Sequence, residues 1–198
     1  MFALQRFGVL AILGLALGPA LAQEPEVGDL LIAGASLDDP NFERTVLLIV
    51  LHSENGTIGV ALNRPTWIAP AEAFPDAAAL DGYTGALFFG GPAASAQPLM
   101  VFERGQRMPQ SSQHILGSIY ISDDLSQLAE FDLTAEDAPR VRIFAGHATW
   151  APGQLAREIA SGDWRTARAR PDQIFAEEPA RLWERAPSSG DAVTASLH

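Results

Sequence analysis

The sequence predicts an α+β fold, and three observations lead to this prediction. Several short apolar runs have the length of β-strands and are bounded by glycine, proline or polar residues. The pair Asn55-Gly56 separates two of these runs, which is a strong signal for an antiparallel hairpin. Helical patterns are short and scattered, whereas a parallel α/β sheet requires regular alternation of strands and helices.

The first half of the chain predicts three strands and one helical turn. An apolar segment over 28–33 predicts the first strand. Asp39 followed by proline is typical of a helix N-cap, so we expect one helical turn there. The run over 45–52 is almost entirely apolar and rich in β-branched residues, which predicts a strand covered on both faces. The segment 57–63 completes the hairpin.

The middle of the chain predicts a long loop and two short strands. Residues 66–85 mix alanine, proline and acidic residues, which favours a loop with one short helix near 70–74. The strand over 86–89 is expected to stop at Gly90-Gly91-Pro92, and 99–102 is expected to pair next.

The rest of the chain predicts short strands that are separated by short helices. Residues 103–114 are polar, which favours an exposed loop, and Ser122 or Asp123 is a suitable cap for the helix that follows. A strand is expected to end at Gly146, and a helix at Gly162. The predicted elements are strands over 118–121, 141–145 and 164–167, and helices over 125–129, 152–160, 171–175 and 179–186.

The chain begins with the three-part pattern of a secretory signal. One arginine lies within residues 1–6, residues 7–17 are uncharged and apolar, and Ala20-Leu21-Ala22 supplies small residues for cleavage. We therefore expect a signal peptide over 1–22 and a periplasmic or secreted mature protein. That protein would comprise one domain over 23–186 and a disordered tail over 187–198. No later run is long and apolar enough to predict a membrane-spanning helix.

Composition excludes several chemistries. The 198 residues include no cysteine, which excludes thiolate nucleophiles and thiolate metal sites. All 13 basic residues are arginine, which excludes lysine Schiff bases and the P-loop lysine. The net charge is −11, and it becomes −12 without Arg6. Because DNA-binding proteins use basic residues to displace counterions, nucleic acid is an unfavourable partner.

His147 is the best candidate for chemistry, because it lies where a predicted strand meets a predicted helix. Pockets form at such junctions, and Trp150, Gln154 and Glu158 are close in sequence. The alternative is a purely structural set, in which the backbone satisfies His147 and Trp150 packs in the core. The sequence contains no G-x-S-x-G, dinucleotide-binding or P-loop motif, and its four histidines are far apart.

Several motifs, in this order, resemble the YqgE/AlgH family. The resemblance extends from Gly28 to about Arg185, and the ordered set is more specific than any one motif. The motifs are Gly28 to Ala33, Leu37 to Val46, His52 with Asn55-Gly56 and Gly59, Asn63-Arg64-Pro65, Gly90-Gly91-Pro92, Gly146 to Trp150, Gly153 to Leu155, Glu158-Ile159 and Trp164.

This resemblance implies a mixed, largely antiparallel sheet that curls into a pseudo-barrel flanked by helices. The family has no settled activity, although one branch is labelled a transcriptional regulator. The chain departs from the family pattern at Ala35, where proline is usual, at Leu51, where cysteine is frequent, and at His147, where tyrosine is common. Most relatives also begin near the equivalent of Gly28 and have no leader.

We therefore expect a non-enzymatic binding or regulatory protein of the periplasm. Its partner would be a protein or a small molecule, and we expect no cofactor and no metal. Two alternatives are a cytoplasmic transcriptional regulator and a hydrolase that uses His147 with Glu158 or Asp39. The candidate binding residues, where the family motifs should converge, are His52, Asn63, Gly90, Gly91, His147 and Trp150.

Overall fold

A computed structural model describes residues 25–35, 37–105 and 111–186. Within these residues, nine strands form one mostly antiparallel sheet that curls into a half-barrel and is accompanied by a few helices. The predicted α+β fold class is therefore confirmed. The predicted signal peptide over 1–22 and the predicted tail over 187–198 lie outside the described residues.

The strands are short, with the exception of β2, β5 and β8. Their bounds are β1 Asp29–Ala33, β2 Val46–Ser53, β3 Gly56–Ala61, β4 Leu87–Phe89, β5 Ala93–Glu103, β6 Gln113–Leu116, β7 Ile119–Ser122, β8 Val141–Trp150 and β9 Trp164–Arg168. The helices are α1 Pro70–Ala73, α2 Gln154–Ser161 and α3 Pro171–Ile174, with 3-10 turns at Ala78–Leu80, Leu125–Glu130 and Pro179–Arg181.

Strand β8 joins the two halves of the sheet. Its first part pairs with β5 and, in parallel, with β4, while its last three residues pair with β3. The order of strands is β6-β7-β5-β8-β3-β2-β1-β9, so β8 lies in the middle and links the β6-β7-β5 part to the β3-β2-β1-β9 part. The helix α2 follows β8 directly and packs on one face of the β1–β2–β3 half.

The apolar runs are buried because both faces of the sheet are covered. Inside the curl, Leu48 and Val60 pack with Phe144 in the largest core cluster. On the opposite face, Leu47 and Ile49 pack under α2. This alternation explains why β2 is apolar at nearly every position, as expected of a strand that is covered on both faces.

Two strands, β5 and β8, are longer than predicted, and in β8 the reason is a glycine that is typical of a strand end. Strand β8 continues past Gly146, which lies inside the strand with φ +69°. A side chain there would collide with the carbonyl groups of Gly91 and Ala93, so glycine is required by a close backbone approach. Strand β5 begins at Ala93, where its pairing with β8 shifts register before Pro98.

The single helical turn predicted after Asp39 is confirmed, because the Glu43 amide donates to the Asp39 carbonyl at 2.9 Å and the Asp39 carboxylate accepts from the Asn41 amide. Three other local predictions were wrong in detail. Strand β6 begins at Gln113, inside the predicted loop over 103–114. Residues 125–130 form a 3-10 turn that is capped by Asp124, whose carboxylate accepts a hydrogen bond from the backbone of Ser126. The closing helix is also only a 3-10 turn over Pro179–Arg181.

Candidate functional site

The pair Gly90-Gly91 lies against β8 and allows close contact between backbones. The Gly90 carbonyl accepts a hydrogen bond from the Ala61 amide at 2.9 Å, and the Gly90 amide donates to the Ala145 carbonyl at 2.9 Å. A side chain at Gly91 would collide with the backbone of His147. The glycine pair therefore holds the backbone of His147 in position and offers no side chain to a partner.

His52 and Trp150 lie in one row across β2, β3 and β8. Thr57 is the cross-strand partner of both residues. Directly paired residues point to the same face of a sheet, so both side chains share the face that α2 covers. Nδ1 of His52 lies 2.8 Å from the Thr57 hydroxyl oxygen. We call this side, defined by Thr57, Trp150 and Leu155, the helix face.

Trp150 belongs to a saturated polar cluster on the helix face. One carboxylate oxygen of Glu158, Oε2, accepts hydrogen bonds from the indole N–H groups of Trp150 at 2.8 Å and Trp164 at 2.9 Å. The other oxygen accepts from the side-chain amide of Gln154 at 2.8 Å. The ring of Phe42 stacks on Trp150 and meets Trp164 edge-on. Glu158 therefore fastens α2 to β8 and β9.

Asn63 lies near the opposite end of β2 from His52 and ties a turn to the sheet. Its side-chain oxygen accepts a hydrogen bond from the Val46 amide at 3.0 Å, and its Nδ2 donates to the Arg44 carbonyl at 2.8 Å. Arg44 has φ +51°, a left-handed conformation that is costly for a residue with a side chain. Asn63 thus stabilises this turn, and the structure does not bring it together with His52 or His147.

His147 faces away from Trp150, on the inner side of the half-barrel. Side chains alternate along a strand, and both Ala148 and Trp150 pack on the helix face. His147 instead lines a cavity of about 200 Å³. The walls of this cavity come from β2, β3, β5, β6 and β7 together with β8. Its other lining residues are Val50, Leu51, Ile58, Leu99, Ser111, Gln113, Ile121, Ser122 and Asp123.

The imidazole of His147 is unusual in having an orphaned nitrogen. Its Nδ1 is buried and has no hydrogen-bond partner among the described residues. Burial lowers the pKa of His147 below its usual value of 6.5, because desolvation disfavours the charged form. Desolvation therefore favours the neutral form of the ring, which lines a mostly apolar cavity.

One polar residue that lines the cavity with His147, Ser122, is already engaged with other groups. The Ser122 hydroxyl donates to the side-chain oxygen of Gln127 at 3.1 Å and accepts from the Asp124 amide. Asp123 is exposed at the rim of the cavity. Within residues 25–35, 37–105 and 111–186, no three His, Asp or Glu side chains lie close enough together to hold a metal ion.

No sequence motif marks the walls of the cavity. Val50, Ile58, Leu99 and Ile121 are ordinary apolar strand residues that meet only because the sheet curls. One indirect signal was available: Leu51 and His147, two of the three departures from the family pattern, both line the cavity. In the part of the chain that the structure covers, no helix has the length and apolarity that crossing a membrane requires.

Comparison with known proteins identifies the family. The family model described as DUF179, AlgH-like, matches residues 30–191. A UPF0301 protein of Streptomyces coelicolor is 38% identical over 161 residues, which are 79% of this chain and 82% of that protein. A UPF0301 protein of Chlorobaculum tepidum is 38% identical over 159 residues, covering 80% and 83% of the two chains.

Two solved structures share the fold. The crystal structure of a Corynebacterium diphtheriae protein matches with a TM-score of 0.67 and 30% identity, covering 84% of this chain and 90% of that one. The solution structure of the AlgH protein from Pseudomonas aeruginosa matches with a TM-score of 0.64 and 30% identity, covering 80% and 84%. Together, the family model, these relatives and these structures show that the chain belongs to the AlgH-like family.

Proposed function

We propose that this chain is a non-enzymatic binding protein that is exported to the periplasm and holds its ligand in the cavity beside His147. One observation carries the proposal: the imidazole of His147 lines a concave, mostly apolar space between strands. Apolar cavities with a few polar groups are typical of small-molecule sites. The cavity is also placed at the strand that joins the two halves of the sheet.

The two acids that the hydrolase alternative pairs with His147 are engaged elsewhere, which favours binding over hydrolysis. A catalytic histidine needs a carboxylate or a nucleophile within hydrogen-bond reach. Glu158 is on the helix face and accepts three hydrogen bonds there. Asp39 accepts a hydrogen bond from the Asn41 amide at 2.8 Å, in a turn before β2. Neither acid that we considered as a partner for His147 therefore supports a role in proton transfer.

Charge and the N-terminal pattern support action outside the cytoplasm and away from DNA. A net charge of −11 repels the phosphate backbone, which makes a transcriptional regulator an unfavourable interpretation. The pattern over 1–22 is typical of a cleaved leader. The mass of the protein recovered from the periplasm tests export: we expect a chain that begins at Gln23, and an intact Met1 in the cytoplasm would contradict it.

Native mass spectrometry of the periplasmic protein tests the binding role. We expect the wild-type protein to carry a non-covalent small-molecule mass, and Leu99→Phe to lose it because the larger ring fills the cavity. Leu133→Phe is the matched control, since Leu133 packs against a different core cluster. If Leu99→Phe and Leu133→Phe carry the same bound small-molecule mass, the assignment of the ligand to this cavity is contradicted. Turnover in a screen of esterase, phosphatase and glycosidase substrates, abolished by His147→Ala, would establish the hydrolase instead.

A further inference from the structure

The volume of the cavity limits the size of the ligand. The space beside His147 is about 200 Å³. An apolar cavity of about 150 Å³ in another protein accommodates benzene, so this space fits a body of about one ring with a short substituent. The inference drawn here rests on the binding role proposed above and concerns the chemistry of that ligand.

The two edges of the imidazole have different environments. Nδ1 is shielded from solvent while the ring lines the cavity, so the ring meets the cavity through its other atoms, which include Nε2. A neutral imidazole carries one N–H donor and one acceptor nitrogen. Because buried N–H groups without partners are rarer than buried acceptors without partners, the proton belongs on Nε2. His147 therefore presents a hydrogen-bond donor to the cavity.

The charges around the cavity disfavour an ionic ligand. Among the described residues that line it, the only ionisable groups are His147 and Asp123, and Asp123 is exposed. No arginine is there to pair with an anion, and the chain as a whole is acidic. An ammonium group placed next to His147 would lose its hydration. The exposed Asp123 carboxylate remains in solvent, so its attraction would not offset that loss.

We infer that the ligand is a small uncharged molecule with an apolar body of about one ring and an oxygen that accepts a hydrogen bond from Nε2 of His147. The apolar body lies against side chains such as Leu99 and Ile121. The oxygen atom faces the imidazole. Carboxylates and ammonium compounds of the same size are excluded by the cost of burying their charge.

Titration of the mature protein with four related probes tests this inference. The probes are benzyl alcohol, toluene, benzoate and benzylammonium, and the readout is the shift of methyl resonances of Val50, Leu99 and Ile121 at about pH 7.5. We expect benzyl alcohol to bind at least about ten-fold more tightly than either ion. We also expect the affinity ratio of benzyl alcohol to toluene to fall about five-fold in His147→Phe, because one hydrogen bond is lost.

A second histidine supplies the control. His114 lies outside the cavity lining, where its Nε2 contacts the Gly117 carbonyl at 2.9 Å, so His114→Phe should leave the ratio unchanged. The ¹⁵N spectrum of the wild-type imidazole should show the proton of His147 on Nε2. A proton on Nδ1 would overturn the assignment of the ligand as an acceptor.

The outcomes separate this inference from the proposed function. If benzoate or benzylammonium binds as tightly as benzyl alcohol, or if the ratio is unchanged in His147→Phe, the ligand chemistry is wrong although the cavity still binds. If none of the four probes shifts the methyl resonances, both the ligand chemistry and the binding role at this cavity are overturned.

Discussion

Each face of β8 carries an aromatic side chain with a ring nitrogen, Trp150 on one face and His147 on the other. The two side chains differ in whether their buried ring nitrogen has a hydrogen-bond partner. On the helix face, Trp150 donates to Glu158, and that carboxylate also serves Trp164 and Gln154. On the inner face, His147 keeps a buried nitrogen without a partner among the described residues, beside a cavity. The first arrangement is complete within the protein, whereas the second is incomplete.

This difference indicates how the strand divides structural and binding roles. Buried polar groups are almost always hydrogen-bonded, because an unmade bond costs free energy. A saturated cluster such as that of Glu158 stabilises the fold and has little capacity for a ligand. On the inner face, the unsatisfied Nδ1 of His147 lowers stability, and the other nitrogen of the same ring is the one that we propose for ligand binding. The comparison therefore favours a structural role for the helix face, and it is consistent with our proposal that the inner face binds a ligand.

The largest expected effect is on the helix face. Glu158→Ala removes the acceptor of three hydrogen bonds and leaves two partly buried indole N–H groups without a partner. We expect the free energy of unfolding to fall by about 3 kcal/mol, measured by urea denaturation. Glu158→Gln keeps an acceptor for the indoles and should cost less.

Arg157→Ala is the matched control for this prediction. Arg157 is exposed on the same helix, and alanine favours helix, so its unfolding free energy should change by less than about 0.5 kcal/mol. Equal effects of Glu158→Ala and Arg157→Ala would mean that the carboxylate cluster contributes nothing beyond an ordinary surface position.

A smaller effect of opposite sign is expected on the inner face. His147→Phe replaces an orphaned buried nitrogen with an apolar ring of similar shape, which should raise the free energy of unfolding by about 1 kcal/mol. His114→Phe removes a histidine whose Nε2 contacts a carbonyl on the surface and should not stabilise the protein. Destabilisation by His147→Phe would show that the imidazole is satisfied, and the contrast between the faces would be lost.

The smallest expected effect is a pH dependence that belongs to His147. The pKa of this imidazole is lower in the folded state than its ordinary value of 6.5, so the unfolded chain binds the proton more readily. The unfolding free energy should therefore fall as the pH drops through about 6.5, until the pH reaches the folded-state pKa. The measurement is the stability difference between the wild-type protein and His147→Phe at several pH values.

The sign of this dependence is the decisive feature. The unfolding free energy of the wild-type protein, relative to that of His147→Phe, should fall on acidification because burial disfavours protonation of the ring. A wild-type protein that gains stability relative to His147→Phe at low pH would mean that a carboxylate pairs with the imidazolium.

The strands that could be predicted are those whose apolar pattern reflects complete burial. β1 and β2 lie under side chains on both faces, so they are apolar except for Asp29 at the start of β1 and His52 and Ser53 at the end of β2, and Asn55-Gly56 indicates the hairpin. Gly146 misled the prediction, because a glycine that permits close backbone contact has the same letter as one that ends a strand. The start of β5 is small and polar, which carries no strand signal.

The candidate site was predicted only in part, for a geometric reason. The sequence places His147 and Trp150 at one strand-to-helix junction, yet residues three positions apart point to opposite faces of a regular strand. Glu158 was considered as a catalytic acid, but its partner Trp164 is on a different strand. The cavity walls come from several strands, and their meeting depends on the curl of the sheet, which no local pattern encodes.

Intermolecular nuclear Overhauser effects test the division of β8 most directly. With benzyl alcohol added to the mature protein, we predict contacts from the ligand ring to methyl groups of Leu99 and Ile121 on the inner face. We predict none to Leu47 or Leu155 on the helix face. Contacts to the helix-face methyl groups, without contacts to the cavity, would contradict the account.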